Sequence, residues 1–422
     1  MEDREAVETP EAALARALFA AGVAAADPGR AVREALALAP RPAGRRLIVA
    51  VGKAACAMAA AAREVLGAEE TLIVTTDGAA RAVPGAEVLC AGHPVPDARG
   101  LDAARRVAAA VAALGAGDEL VALISGGGSA LLPAPLAGIS IADKAEVSRL
   151  LLASGADIRA MNLVRQQLST LKGGGLARLA APARVRALVL SDVVGDDLSV
   201  IASGPTAPPI GTRAEARALI ARLGLGARIP ASVRAALDAP DTPPAPPGDV
   251  ETRLVGSNTL SLRAMAGAVP AGAGPLCLSQ HPLEGDVAEA AALILRAGAG
   301  QGAGVWLWGG ETTVRIEGPA GQGGRNQELA LRVALGAQAA GWTGRWAFLS
   351  GGSDGRDGPT EAAGGIVGPG TIARIRAAGL DPEAHLARHD SLPALRAGGA
   401  LLVTGETGTN VADFQILVRG AG

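Results

Sequence analysis

Tyrosine is absent from this chain, and lysine occurs only as Lys53, Lys144 and Lys172, every other basic residue being arginine. Alanine, glycine and arginine dominate instead, which marks a genomic composition bias and not a function. Cysteine is scarce as well. Cys56, Cys90 and Cys277 are odd in number and far apart, with no CxxC pair and no Cys/His cluster. Reduced, mostly buried thiols are therefore expected in place of disulfides or a zinc site. The net charge of −2 at pH 7 leaves no electrostatic footprint for nucleic acid or an anionic membrane. No apolar run approaches the ~18 residues that cross a bilayer. The acidic start Met1-Glu2-Asp3-Arg4-Glu5 is not a signal-peptide n-region. These absences predict a soluble cytoplasmic protein with neither nucleic-acid nor membrane partners.

What is present is a repeated alternation of short apolar runs and helical stretches, over 422 residues that suffice for two or three domains. Thr9-Pro10-Glu11 reads as a helix start, with Thr9 as N-cap, and Asp27-Pro28 repeats the signal for a helix to about Leu38. Strands are predicted at Leu47–Val51, Leu72–Thr75, Glu87–Cys90, Glu119–Ile124 and Ala187–Leu190. Asp97 and Ser140 are placed to cap the helices that follow them. Residues 239–247 carry five prolines in nine positions, which neither a helix nor a central strand accommodates. The predicted organisation is a domain over 1–240, a linker over 241–250 and a second domain over 251–422. In the second, strands are expected at Thr252–Val255, Leu276–Ser279, Val305–Trp308, Thr312–Ile316, Trp346–Leu349, Leu401–Val403 and Phe414–Val418. Whether the last strand returns to the first sheet stays open. The expected fold is α/β: two three-layer domains with largely parallel or mixed sheets and a cleft between them.

The chain is organised around Glu119–Pro135. Five apolar residues, Leu120 to Ile124, run into Ser125-Gly126-Gly127-Gly128-Ser129, a buried parallel strand delivering a glycine turn at its C-terminal end. Three residues without Cβ let backbone N–H groups approach an anion closely. Other strand ends offer Lys53, Asp192, Asp196, Asp197, Arg325, Asp354 and Asp357. Backbone donors and cations to hold phosphates, with carboxylates for Mg²⁺ or for an attacking hydroxyl, are the parts phosphoryl transfer needs. Where arginine is so favoured, a retained lysine at position 53 suggests that a compact ammonium is wanted. Asp197 fits metal binding and the tying of a turn equally well. No GxxxxGK[ST] loop occurs, and Gly298-Ala299-Gly300-Gln301-Gly302-Ala303 precedes a strand instead of following one, the wrong polarity for a dinucleotide fingerprint.

Val51-Gly52-Lys53-Ala54-Ala55, His93-Pro94-Val95-Pro96-Asp97, Ser125–Leu132, Leu168–Gly174, Ser191–Asp197 and Ser203–Thr206 together resemble the N-terminal half of the glycerate 2-kinase family. Gly309–Val314, Gly323–Glu328, Ser353–Thr360 and Thr409-Asn410-Val411 with Asp413 resemble its C-terminal MOFRL region, here about 303–413. The resemblance covers almost the whole chain in the right order. It implies ATP- and Mg²⁺-dependent phosphorylation of D-glycerate, typically to 2-phosphoglycerate, in an interdomain cleft where Lys53 and Arg325 would face one another. It implies Lys53 and Arg325 as the essential basic residues, and Asp192, from the acidic set at the strand ends, is expected to be catalytic with them. Ser125, Gly126, Gly127, Gly128, Ser129, Lys172, Glu311, Asn326 and Asp354 would bind substrate or nucleotide, and Asp192 and Asp197 would hold Mg²⁺. Gln167, Gly175 and Glu406 depart from the family pattern, the first two close to Lys172, without touching the main reading. NAD(P)H-dependent hydroxypyruvate reduction is the alternative, since members of the family have carried that name. The oligomeric state stays open, a homodimer included.

Overall fold

Local chemistry sets the helix starts where it was expected to. Thr9 accepts a hydrogen bond from the Ala12 N–H and opens the helix Pro10–Ala25. Asp97 accepts from Gly100 at the start of Ala98–Ala112, and Ser140 forms a capping box with Asp143 before Ile141–Ala153. The computed structural model describes residues 9–67, 69–240, 248–300 and 302–420. It divides them into two units, Pro28–Val255 and Met1–Asp27 with Gly256–Gly422.

In the first unit the strands β1 (Arg46–Val51), β2 (Glu70–Thr75), β3 (Glu87–Cys90), β4 (Glu119–Ile124), β5 (Arg184–Leu190) and β6 (Val250–Gly256) lie in the order β3-β2-β1-β4-β5-β6. Neighbours from β3 to β5 run parallel. Apolar runs that are buried on both faces are what a parallel sheet requires. Leu47, Val49, Val51, Leu120 and Ala122 pack on one face with Ala103, Val107 and Val111 of the helix Ala98–Ala112. The alternate residues Ile48, Ala50, Val121 and Leu123, all fully buried, turn to the other face, where Ala55–Leu66 packs on β1, β2 and β4. At the N-terminal ends of β1, β4 and β5, Glu119 accepts from both Arg46 (2.6 Å) and Arg186 (3.2 Å). A second cluster, around Val147, Leu151, Val164, Leu219 and Val233, joins four helices: Ile141–Ala153, Ile158–Gln167, Arg213–Arg222 and Ala231–Asp238.

The second unit carries β7 (Leu276–Leu278), β8 (Leu283–Asp286), β9 (Gly304–Thr313), β10 (Trp346–Gly352), β11 (Gly364–Val367), β12 (Leu401–Leu402) and β13 (Asp413–Arg419). Their order is β12-β11-β10-β13-β9-β7, with β8 also on β9. This sheet is mixed: β13 is antiparallel to β10 and β9, while β7 and β8 are parallel to β9. The last strand thus sits inside the second sheet. Thr312 is not the start of a further strand but part of β9, which continues to Thr313.

The division of the chain differs from the one expected at 240 and 251. β6 joins the first sheet beside β5, although it follows the proline-rich stretch, whose residues 241–247 lie outside the described ones. The helix Pro10–Ala25 belongs to the second unit because its apolar face finds partners there. Phe19 meets Phe414 edge-on at 5.8 Å between ring centres, Gly22 lies against Met265, and Thr409 donates to the Ala26 carbonyl at 2.7 Å. Among the described residues no helix is long and apolar enough to cross a membrane.

Candidate functional site

In the order β3-β2-β1-β4-β5-β6, the strand sequence reverses between β1 and β4. Open α/β sheets hold their ligands outside the carboxyl ends of strands at such a switch point. Gly52 and Lys53 leave β1 there, and Ser125–Ser129 leave β4. The two turns are fastened together: the Lys53 N–H donates to the Gly126 carbonyl at 2.9 Å, and the Ser125 N–H to that of Val51 at 2.8 Å. The fully buried Ser125 hydroxyl accepts from the Ala54 N–H at 3.1 Å and donates to Val51 at 3.3 Å. The Ser125 hydroxyl is thus committed to aligning the two turns.

Two more strand ends converge on the same point. A Cβ at Gly126 would collide with the Asp192 carboxylate. Gly127 has φ +88°, a conformation that glycine adopts freely, and a Cβ there would stand 3.2 Å from the His93 ring and 3.6 Å from Lys53 Cγ. Lys53, His93, Gly126–Gly127 and Asp192 thus arrive from β1, β3, β4 and β5. Among the described residues, no backbone acceptor takes the N–H groups of Gly126, Gly127, Gly128 or Ser129, so they remain available to an anion. Burial pushes the Asp192 carboxyl up from its usual value, against the pull of Lys53. Burial, and then Lys53, push the His93 imidazole down, so that it favours the neutral form.

Behind the glycine turn lies a polar chain. The Lys172 ammonium donates to the Ser129 carbonyl at 2.6 Å and to its hydroxyl at 3.0 Å. Ser129 and Ser203 share a hydrogen bond of 2.8 Å, and Ser203 donates to Asn162 at 2.6 Å. This chain adjoins a cavity of about 460 Å³ lined by His93, Gly127, Ser129, Lys144, Arg165 and Lys172, with apolar walls. Lys144 and Arg165 were not singled out from sequence, although the scarcity of lysine pointed at Lys144 as much as at Lys53. Lys144 donates to the Pro133 carbonyl and, at 3.2 Å, to that of Leu168.

Burial, and then Arg165, lower the Lys144 pKa from 10.5 to about 7. The unfolded chain therefore binds more protons between about pH 7 and 10, and the Lys144 contribution makes stability rise with pH over that window. Denaturant titrations across it are expected to show a steeper rise for the wild type than for Lys144→Met. Parallel slopes would mean that this ammonium stays solvated.

Asp197 resolves as a turn residue. Its carboxylate accepts from the Ser199 N–H and hydroxyl and pairs with Arg159. Among the described residues no group of three or more His, Cys, Asp and Glu could hold a metal ion. Mg²⁺ asks for less, keeping several waters and binding through one or two carboxylates plus substrate phosphates. Asp192 beside the glycine turn fits that demand, while the Asp197 carboxylate is engaged by Ser199 and Arg159.

In the second unit, Arg325 opens the helix Arg325–Ala339. Its Nε and Nη2 donate to the two oxygens of Asp413 at 2.6 and 3.0 Å, and its Nη1 lies 2.8 Å from Glu311. Asp413 is the partner that sequence reading missed. The buried Asp357 carboxylate accepts from the N–H groups of Asn326 (3.1 Å) and Gln327 (2.8 Å), and burial raises its pKa to about 6. The Asn326 side chain accepts from Ser350 at 2.6 Å and is itself buried. It holds the helix start. Asp354 accepts from the Arg356 N–H at 3.0 Å within its own turn.

The family described as a domain of unknown function, DUF4147, matches residues 14–238, and the MOFRL family matches residues 304–413. A protein from Agrobacterium vitis provisionally named hydroxypyruvate reductase is 44% identical over 420 residues, 96% of this chain and 94% of its own. A D-glycerate 2-kinase from Thermotoga maritima is 39% identical over 93% of this chain and 95% of its own. The crystal structure of a glycerate kinase from the same organism, 38% identical, superposes with a TM-score of 0.89 over 97% of this chain and 99% of that one.

Proposed function

This chain belongs to the glycerate 2-kinase family, and from that premise we propose that it transfers the terminal phosphoryl group of ATP to D-glycerate, giving 2-phosphoglycerate and ADP. The observation that carries the proposal within the structure is the convergence of Lys53, His93, Gly126–Gly127 and Asp192 at the switch point of the first sheet. The turn donors and the Lys53 ammonium hold the transferring phosphoryl group where its charge develops. The C2 hydroxyl oxygen of glycerate bonds to the γ-phosphorus as the bond to the β,γ-bridging oxygen breaks, and the hydroxyl proton passes to Asp192. A carboxyl whose pKa burial has raised is the better proton acceptor. Mg²⁺ bound with ATP would neutralise phosphate charge, and Asp192 is the residue beside the glycine turn that would hold it. The cytoplasm is the compartment we propose.

Hydroxypyruvate reduction has one observation in its favour beyond a relative's name, since the sheet order is that of dinucleotide-binding folds. Against it, the first strand-to-helix turn, Val51-Gly52-Lys53-Ala54-Ala55, has one glycine where the dinucleotide fingerprint needs three. Phosphorus NMR of an ATP and D-glycerate incubation is expected to show ADP and a phosphate ester at the 2-position. NADH or NADPH oxidation with hydroxypyruvate should not approach that rate. Robust nicotinamide turnover without ATP turnover would reverse the choice.

A further inference from the structure

The cavity of about 460 Å³ beside the glycine turn is of the size that encloses a drug-sized ligand, ~300–1,000 Å³, and far exceeds the needs of a three-carbon acid. Its apolar lining comes from Pro94, Val95 and Pro96 of the stretch after β3 and from Ala145, Leu152 and Met161 of the helices Ile141–Ala153 and Ile158–Gln167. Val95 and Leu152 are 64% and 69% exposed, an unusual state for large apolar side chains that flank a cavity. Four cations line the same space: Lys144, Arg149, Arg165 and Lys172. Arg149 is paired with Glu146, which is not part of the lining. Among the described residues no carboxylate lines the cavity or pairs with Lys144, Arg165 or Lys172. Those three meet only carbonyls and hydroxyls. Cations held away from water without a carboxylate are best compensated by an anionic ligand. The cavity is continuous with the phosphate turn, since Gly127, Ser129 and His93 line both.

An apolar slot, a cationic floor and an opening onto the phosphate turn describe a ligand with an apolar head and a polyanionic tail. We propose that this cavity, wholly within Pro28–Val255, is the nucleotide site: the base lies between Val95 and Leu152, and the phosphates run past Lys172 to the glycine turn. The proposal rests on the kinase reading and assigns ATP to the first unit. Burial depresses the Lys172 pKa strongly and Lys144 less, and bound phosphates would restore the charged forms of both.

Leu152→Glu tests it at an exposed position, where folding is not at stake, by setting a like charge against the nucleotide. KM for ATP is expected to rise about tenfold or more while KM for D-glycerate moves by less than about twofold. A rise in the glycerate KM with that of ATP unchanged would give the cavity to the acceptor, overturning the inference and leaving the kinase reading intact. No change in either KM would overturn it too. A second measurement does not depend on turnover: photolabelling of the wild-type chain with 8-azido-ATP, competed by ATP. Label is expected on peptides spanning 93–96 or 145–161. Label confined to residues 256–420, or none that ATP displaces, would overturn the assignment. Loss of glycerate phosphorylation in the wild type with label at 93–96 would sink the kinase reading and keep the site.

Discussion

Lys53→Met is expected to lower kcat by ~10²–10³-fold, the cost of losing one preorganised charge contact to a transition state, with little change in melting temperature. The two halves of this expectation have separate grounds. Lys53 is exposed and forms no ion pair among the described residues, so removing the ammonium breaks no salt bridge and costs only its pull on the buried Asp192 carboxyl, whose pKa then rises further. Only its backbone N–H is structural, donating to Gly126, and methionine retains that bond. Surface substitutions of this kind stay within about 0.5 kcal/mol. The ammonium stands at the switch point beside Gly127 and His93, where a phosphoryl group carried by the turn would meet it. Charge that builds during transfer is stabilised mainly in the transition state, so kcat should fall more than KM rises. Steady-state kinetics with calorimetric melting of the same preparation decide the matter. Near-normal turnover in a variant of unchanged melting temperature would remove Lys53 from the reaction.

The legible parts of this molecule are those fixed by local chemistry. Thr9, Asp97 and Ser140 announce helices because a short oxygen-bearing side chain satisfies the N–H groups that a helix start leaves open. The positions of Lys53, the glycine turn and Asp192 were legible because apolar runs that end in polar turns place them at strand ends. What sequence could not supply was pairing across distance. β6 carries nothing that names β5 as its neighbour, and the helix Pro10–Ala25 has an apolar face suited to either unit until Phe414 and Met265 are in place. Prolines marked a break in regular structure, which is not the same as a boundary between packed units. Roles were lost in the same way. Asp197 became a turn residue through Arg159, 38 positions away, and Lys144 stands within a helix where no turn motif draws attention to it.

Arg325→Ala is expected to lower the unfolding free energy by about 3 kcal/mol. Removing one member of a buried pair typically costs ~3–5 kcal/mol, and the low end applies because 35% of the Arg325 side chain is exposed. The loss arises at Asp413, which is 1% exposed and has both oxygens committed to this guanidinium. Without Arg325, a buried carboxylate is left beside another, Asp357. That group is raised to about 6 first by burial and further by Asp413, with Arg325 opposing. Arg325→Lys should recover only part of the loss, since one ammonium cannot reproduce two parallel hydrogen bonds to Asp413 and a third contact to Glu311. Adding Asp413→Asn to Arg325→Ala removes the orphaned charge and should restore much of the stability. Urea denaturation of the wild type, Arg325→Ala, Asp413→Asn and the double variant closes the cycle. Additive effects would show that the pair is not coupled. The double variant also separates fold from chemistry at this position. If it is stable and its kcat remains ~10²-fold low, Arg325 acts on the reaction itself, and if kcat returns with stability, its part is to hold the start of its helix and the end of β13 together.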